Sequence, residues 1–225
     1  MTARLAAIVP MRHESERVPG KNYRPFAGRP LYRFIVEALL ACPSIERVVI
    51  DTDSPTIRED AERSFSQVAI LERPEHLRGG ATPMNEVLLH TTERVEADLY
   101  LQTHSTNPLL RSATIERAIQ QYLRSYPAQD SLFGVTRLQT RLWDSLARPI
   151  NHNPAILLRT QDLPPVFEEN SCLYLFTRAV LQDCRNRIGR RPLLFEIDRQ
   201  EAWDIDEEED FIIAEMLLKR RDGLP

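Results

Sequence analysis

Apolar residues follow two rhythms along this chain, short continuous runs and stripes at helical spacing, and the two alternate. Leu5-Ala6-Ala7-Ile8-Val9 is apolar throughout and ends at Pro10, the pattern of a strand covered on both faces. After a polar loop, Leu31, Phe34, Ile35, Ala38 and Leu39 recur at helical spacing behind Pro30 and stop at Cys42-Pro43-Ser44, so a helix is predicted there. Arg47-Val48-Val49-Ile50-Asp51 predicts a second buried strand. Asp53-Ser54-Pro55 then opens a helix to about Arg63, with Asp53 or Ser54 as N-cap and the proline in the first turn. A short strand over 69–71, a helix over 83–95, a strand over 99–101 and a helix over 112–122 continue the alternation. Strands and helices exchanging over short connections predict a doubly wound α/β sheet.

Between 131 and 170 the rhythm changes. Leu132-Phe133-Gly134-Val135 is strand-like, but Trp143 and the prolines 149, 154, 164 and 165 follow with only short apolar pieces. This reads as an excursion of the same domain that suits a dimerisation arm. Regular patterning resumes with Leu173-Tyr174-Leu175-Phe176, a helix over 177–184, a strand over 193–197 and a helix over 208–220. No internal repeat divides the chain, so a single domain over 1–225 is expected.

Composition narrows the chemistry. With 29 Lys+Arg against 33 Asp+Glu the net charge is −4, which gives no general reason to bind nucleic acid; any anion site must be local. Cysteines 42, 172 and 184 show no paired or metal-ligand spacing, so reduced thiols are expected. Neither a charged leader nor a run of about twenty apolar residues is present, so no membrane partner and a cytoplasmic location are expected. Nearly every basic residue is arginine, the exceptions being Lys21 and Lys219.

The loop behind the first strand concentrates that local charge. Ligands of open parallel sheets bind beyond the carboxyl ends of the strands, and here Arg12, Ser15, Arg17, Lys21 and Asn22 gather with Gly20. Such donors suit a multiply charged phosphate, while Glu14 and Glu16 leave open a solvated loop of local ion pairs. The loop is neither a P-loop nor a GxGxxG turn.

Ala7-Ile8-Val9-Pro10-Met11-Arg12-His13-Glu14-Ser15-Glu16-Arg17-Val18-Pro19-Gly20-Lys21-Asn22 resembles the signature of the CMP-sugar-acid synthetases, A-R-x-x-S-x-R-x-x-x-K-N behind an apolar strand, with Met11 replacing the alanine. Three further segments follow in the family's order. Arg73-Pro74-Glu75-His76-Leu77 resembles R-P-x-x-L, and Leu101-Gln102-Thr103-His104-Ser105-Thr106-Asn107-Pro108-Leu109-Leu110-Arg111 resembles L-Q-P-T-S-P-L-R with an altered middle. Asp204-Ile205-Asp206 with Asp210-Phe211 and Ala214-Glu215 resembles D-I-D-x-x-x-D, an aromatic, and A-E. Asn170-Ser171-Cys172-Leu173-Tyr174 stands where the family has N-G-A-I-Y. Glu168-Glu169 precedes it, where sialic-acid members carry a basic residue, and Arg78-Gly79-Gly80 stands where an acidic residue is common.

The resemblance implies a three-layer αβα Rossmann-like nucleotidyltransferase fold with a mostly parallel sheet and a homodimer joined by the arm. It implies a cytidylyltransferase that joins CTP to a small acidic sugar, a 2-keto-3-deoxy acid of sialic or Kdo type, and expels pyrophosphate. Arg12 and Lys21 would be catalytic and would bind the nucleotide with Ser15, Asn22, Arg73 and Thr82. Gln102, Arg111 and Asn170 would meet the sugar acid. Asp204 and Asp206, which point to one side of an extended segment, would hold Mg²⁺. His104 has two readings, a general base or a hydrogen-bonding loop residue. The alternatives are a non-catalytic nucleotide-binding homologue and a glycosyltransferase of similar topology.

Overall fold

The structure is a computed structural model describing residues 3–223. In chain order the elements are β1 (Leu5–Met11), β2 (Pro25–Phe26), β3 (Arg29–Pro30), α1 (Tyr32–Leu40), β4 (Arg47–Thr52), α2 (Pro55–Ser64), β5 (Val68–Glu72), α3 (Met84–Arg94) and β6 (Leu99–Thr103). They continue with α4 (Ser112–Ser125), β7 (Ser131–Leu138), β8 (Val166–Phe176), α5 (Arg178–Cys184), β9 (Pro192–Glu196) and α6 (Glu208–Asp222).

Seven strands form one sheet in the order β5-β4-β1-β6-β8-β7-β9. β1 pairs in parallel with β4 and β6, β4 with β5, and β7 with β9, while β8 runs antiparallel between β6 and β7. Every residue of β1 is buried, as its unbroken apolar run requires of a central strand. Alternate side chains feed two cores. Ala7 and Val9 pack with Ile35, Ile57 and Ile119 of α1, α2 and α4, whereas Ala6 and Ile8 pack with Leu88 of α3 and Leu181 of α5. The result is the three-layer αβα arrangement.

The termini of the predicted elements fell close to those observed, and the caps explain why. Ser54 accepts a hydrogen bond from the Ile57 amide with Pro55 in the first helical turn, the N-terminal chemistry expected. Two features lay outside the reading. The β2–β3 hairpin is too short to show a period, and α1 begins at Tyr32, beyond Pro30, because Pro30 is spent in that hairpin. Within 131–170 both flanks belong to the sheet: β7 and β8 pair from Leu138↔Val166 inward. Residues 139–165 form the excursion itself, with an isolated bridge between Trp143 and Pro149 and a single 3₁₀ turn at Thr160–Asp162. Among the described residues no helix is long and apolar enough to cross a membrane.

Candidate active site

The carboxyl ends of β1, β5 and β6 open into a cavity of about 380 Å³ whose walls include Arg12, Ser15, Lys21, Asn22, Arg73, Thr82 and His104. Its geometry starts with one glycine. Gly20 has φ +65°, and a Cβ there would stand 2.9 Å from the Tyr23 ring, so the chain turns tightly into the 3₁₀ turn Lys21–Tyr23. Asn22 is buried; its amide donates to the Arg12 carbonyl at 2.8 Å and its carbonyl accepts from Ser105 Oγ at 2.7 Å. It thereby ties the loop after β1 to the loop after β6. Ser15 reaches the cavity wall, and the Arg12 guanidinium has no ion pair or side-chain hydrogen bond among the described residues.

Lys21 is held differently. Its ammonium donates to the Ile205 carbonyl and is buried; burial lowers its proton affinity, with Asp204 and Asp206 pulling the other way. The alternative of a solvated loop of local ion pairs does not describe Lys21. Gly20 and the buried Val18 fold the loop inward, and Lys21 becomes its anchor to the C-terminal segment.

The opposite wall carries Leu77, Met84 and Val87 with Arg73 and Thr82. Arg73 is only 2 % exposed: Nε donates to Asp51 Oδ1 at 2.7 Å and Nη2 to the Asp51 carbonyl at 3.0 Å, while Thr91 Oγ1 donates to the other Asp51 oxygen at 2.6 Å. Arg73 is thus a satisfied floor residue of this slot. The Thr82 amide donates to Gly79 at 3.1 Å and closes the turn. A Cβ at Gly80 would lie 2.4 Å from Glu16 Oε1 and 3.2 Å from Arg12 Nη1, so this glycine lets the 78–82 loop approach the cationic loop.

Ile205 is fully buried in a core with Phe26 and Phe211, which turns Asp204 and Asp206 together to the other side. Both line a neighbouring cavity of about 450 Å³ with Glu168, Glu169, Asn170, Arg199 and Asp210. Burial pushes the Asp204 carboxyl above the usual carboxylate range; the Thr106 hydroxyl opposes this, Asp206 adds to it and Lys21 opposes it. Its Oδ1 is sealed from solvent with no partner, whereas Asp206 accepts from Arg17. A buried carboxylate oxygen left unpaired is costly, so this pair fits a hard cation. Among the described residues no three acidic, His or Cys side chains stand close enough together to hold a metal ion by themselves. Two carboxylates with substrate and water oxygens are the donor set Mg²⁺ accepts.

The acceptor candidates are placed unevenly. Asn170 lies in that second cavity, its amide donating to Thr136 Oγ1 at 3.1 Å and its oxygen accepting from the Cys172 amide at 3.2 Å. Gln102 is fully buried at the end of β6 and lines neither cavity; it donates to the Thr103 carbonyl and accepts from Arg187. Arg111 is not brought to either cavity. It lies beside Arg29, Glu37 and Arg221 in a separate cleft and pairs with Glu201, because the loop after Asn107 turns away to start α4. His104 is half-buried with Nε2 sealed and unpartnered; burial, then Arg187 and Lys21, take its proton affinity down to about 3. A group so hard to protonate is a poor base at neutral pH, which favours its reading as a neutral hydrogen-bonding residue. Arg187 itself belongs to no recognised motif, and only the topology reveals it.

A mostly parallel sheet with a cationic cavity at the mouth of β1 and a carboxylate pair beside it defines a nucleotidyltransferase-type α/β protein. The family of cytidylyltransferases matches residues 6–221, and the chain belongs to it. It is 24% identical over 223 residues to N-acylneuraminate cytidylyltransferase of Oncorhynchus mykiss, covering 96% of this chain and 50% of that protein. It is 30% identical over 121 residues to 3-deoxy-manno-octulosonate cytidylyltransferase of Escherichia coli, covering 54% of this chain and 46% of that one. The chain therefore spans about half the length of these curated relatives. In fold it is similar to the solved structure of CMP:2-keto-3-deoxy-manno-octonic acid synthetase complexed with CTP, with a TM-score of 0.72 at 15% identity over 97% of this chain and 100% of that one.

Proposed function

We propose that the protein is a CTP-dependent cytidylyltransferase that transfers CMP to the anomeric hydroxyl of a 2-keto-3-deoxy sugar acid and releases pyrophosphate. The observation that carries this reading is Lys21, which lines the cationic, apolar-walled cavity and donates to the Ile205 carbonyl between Asp204 and Asp206, the carboxylates that line the other. In the first, Leu77, Met84 and Val87 offer a flat apolar wall to a base, and Arg12 offers an uncommitted guanidinium to phosphate oxygens. Attack of one oxygen on the α-phosphorus while pyrophosphate leaves requires alignment and charge neutralisation. Arg12 and Lys21 supply the latter from the first cavity. Asp204 and Asp206 would hold Mg²⁺, which when bound screens the phosphate oxygens as the chain's cations do. Asn170 faces the acceptor, and the apolar arm over 139–165 joins two copies into a homodimer.

Pyrophosphate release from CTP and Mg²⁺, measured with Kdo, sialic, legionaminic and pseudaminic acids, tests the reading. Turnover with one of these acids is expected, and Lys21→Met, which keeps the apolar stem packed, is expected to lower it about 100-fold, the scale of one lost electrostatic donor. Silence with every acid would leave a nucleotide-binding protein without this activity. Full turnover in Lys21→Met would remove Lys21 from the mechanism.

A further inference from the structure

One cation near these cavities has no role in the scheme above. Arg187 lies in the turn between α5 and β9, and its backbone amide is fixed by a bond to Asn85 Oδ1 of α3 at 3.2 Å. The side chain runs inward. Its guanidinium lies 3.5 Å from the centroid of the Tyr174 ring, and Nη1 donates to Gln102 Oε1. Gln102 and Tyr174 are direct partners across β6 and β8, so the cation spans that pair. Among the described residues no carboxylate forms a salt bridge with it. Glu169, the nearest acid acting on it, is bound by the Tyr174 hydroxyl. A partly buried charge without a direct counter-ion is unfavourable, and stacked arginine with free donors is well suited to a planar carboxylate.

The surroundings sharpen the point. The acceptor cavity carries Glu168, Glu169, Asp204, Asp206 and Asp210 against a single, exposed arginine, Arg199. An anionic sugar entering it would meet mostly like charge. Arg187 lies behind the Glu169 wall of this cavity, on the Tyr174 ring whose hydroxyl donates to Glu169, and together with Lys21 it lowers the proton affinity of His104 in the first cavity.

We propose that Arg187, positioned by Gln102 and Tyr174, recognises the carboxylate of the acceptor and sets the preference for sugar acids; this rests on the function proposed above. Steady-state pyrophosphate release is measured for the wild type, Arg187→Gln, Arg187→Lys and Arg199→Gln, with the active sugar acid and with its carboxamide. The wild type is expected to prefer the acid. Arg187→Gln loses about 10- to 100-fold in kcat/KM for the acid, as for a charged hydrogen-bond partner removed. The loss appears in the KM of the acid and not of CTP, and the acid-over-carboxamide preference disappears. Arg187→Lys keeps the charge without the planar fork and falls between. A merely structural arginine would instead lower both acceptors alike. Survival of the preference in Arg187→Gln, or its loss only in Arg199→Gln, overturns the assignment while the cytidylyltransferase reading stands. Should Arg187→Gln fail to fold, an unchanged acid KM in Arg187→Lys overturns it equally. Wild-type silence with every acid overturns both readings together.

Discussion

The cations of this site are held in four different ways, and each defines what its residue can do. Arg12 is uncommitted, Arg17 is paired with Asp206 and Glu207, Lys21 is anchored to a backbone carbonyl, and Arg187 rests on an aromatic ring. The sequence motif named the first three but could not rank them, because ranking depends on partners up to 190 positions away. It could not name Arg187 at all, since no local pattern marks an arginine that meets Gln102 from 85 residues off. His104 carries a prediction at this scale. Its folded-state proton affinity, about 3, lies below the 6.5 of a free imidazole. The unfolded chain therefore binds this proton first, and stability falls as pH drops below about 6.5. Urea unfolding of His104→Gln between about pH 7 and about pH 4 is expected to show a shallower loss than the wild type. Parallel curves would mean that the imidazole is not held neutral in the folded protein.

Elements were legible where one physical rule dominated. β1 is an unbroken apolar run and β4 and β6 each carry one of three residues, at 48–50 and 99–101, because both sheet faces are covered, and Ser54 and Thr177 accept from the amides three residues on as N-caps do. The antiparallel course of β8 was not legible, because direction leaves no periodic trace. No residue of its first half is buried and Glu168, Glu169 and Asn170 interrupt any apolar pattern, so the strand shows itself only by pairing with β7. The register of that pair shifts between Phe133 and Val135, and Gly134 sits at the irregularity. A Cβ on Gly134 would stand 2.6 Å from Asn170 Oδ1 and 2.8 Å from Ile197 Cδ1. Asn170 is not free to retreat, since its oxygen accepts from the Cys172 amide. Gly134→Ala is therefore expected to cost about 1–3 kcal/mol in urea unfolding, the range of overpacked sites, and to raise the acceptor KM by displacing Asn170. A variant with wild-type stability and KM would show that the bulge has slack.

At the scale of the whole molecule the two larger buried clusters lie between the sheet and the helices on its faces, and 139–165 contributes to neither. Leu157 is 88% exposed, Leu146 70%, Ile150 59% and Trp143 51%, a density of large apolar side chains that a solvated loop does not sustain. The proline-rich pattern indicated an excursion, and the structure shows that its flanks are sheet strands, so the arm is levered from a rigid base. The symmetric association of two such arms is the common way to cover them. Light scattering coupled to size exclusion is expected to give a dimer for the wild type and a monomer for Leu157→Glu, since a buried unpaired charge outweighs the packing it replaces. Because the arm lies outside the described cavities, CTP binding is expected to survive in the monomer. A drop in acid turnover without a drop in CTP affinity would then mean that the neighbouring copy helps to complete the acceptor cavity. A monomeric wild type would leave the arm's apolar side chains to another partner.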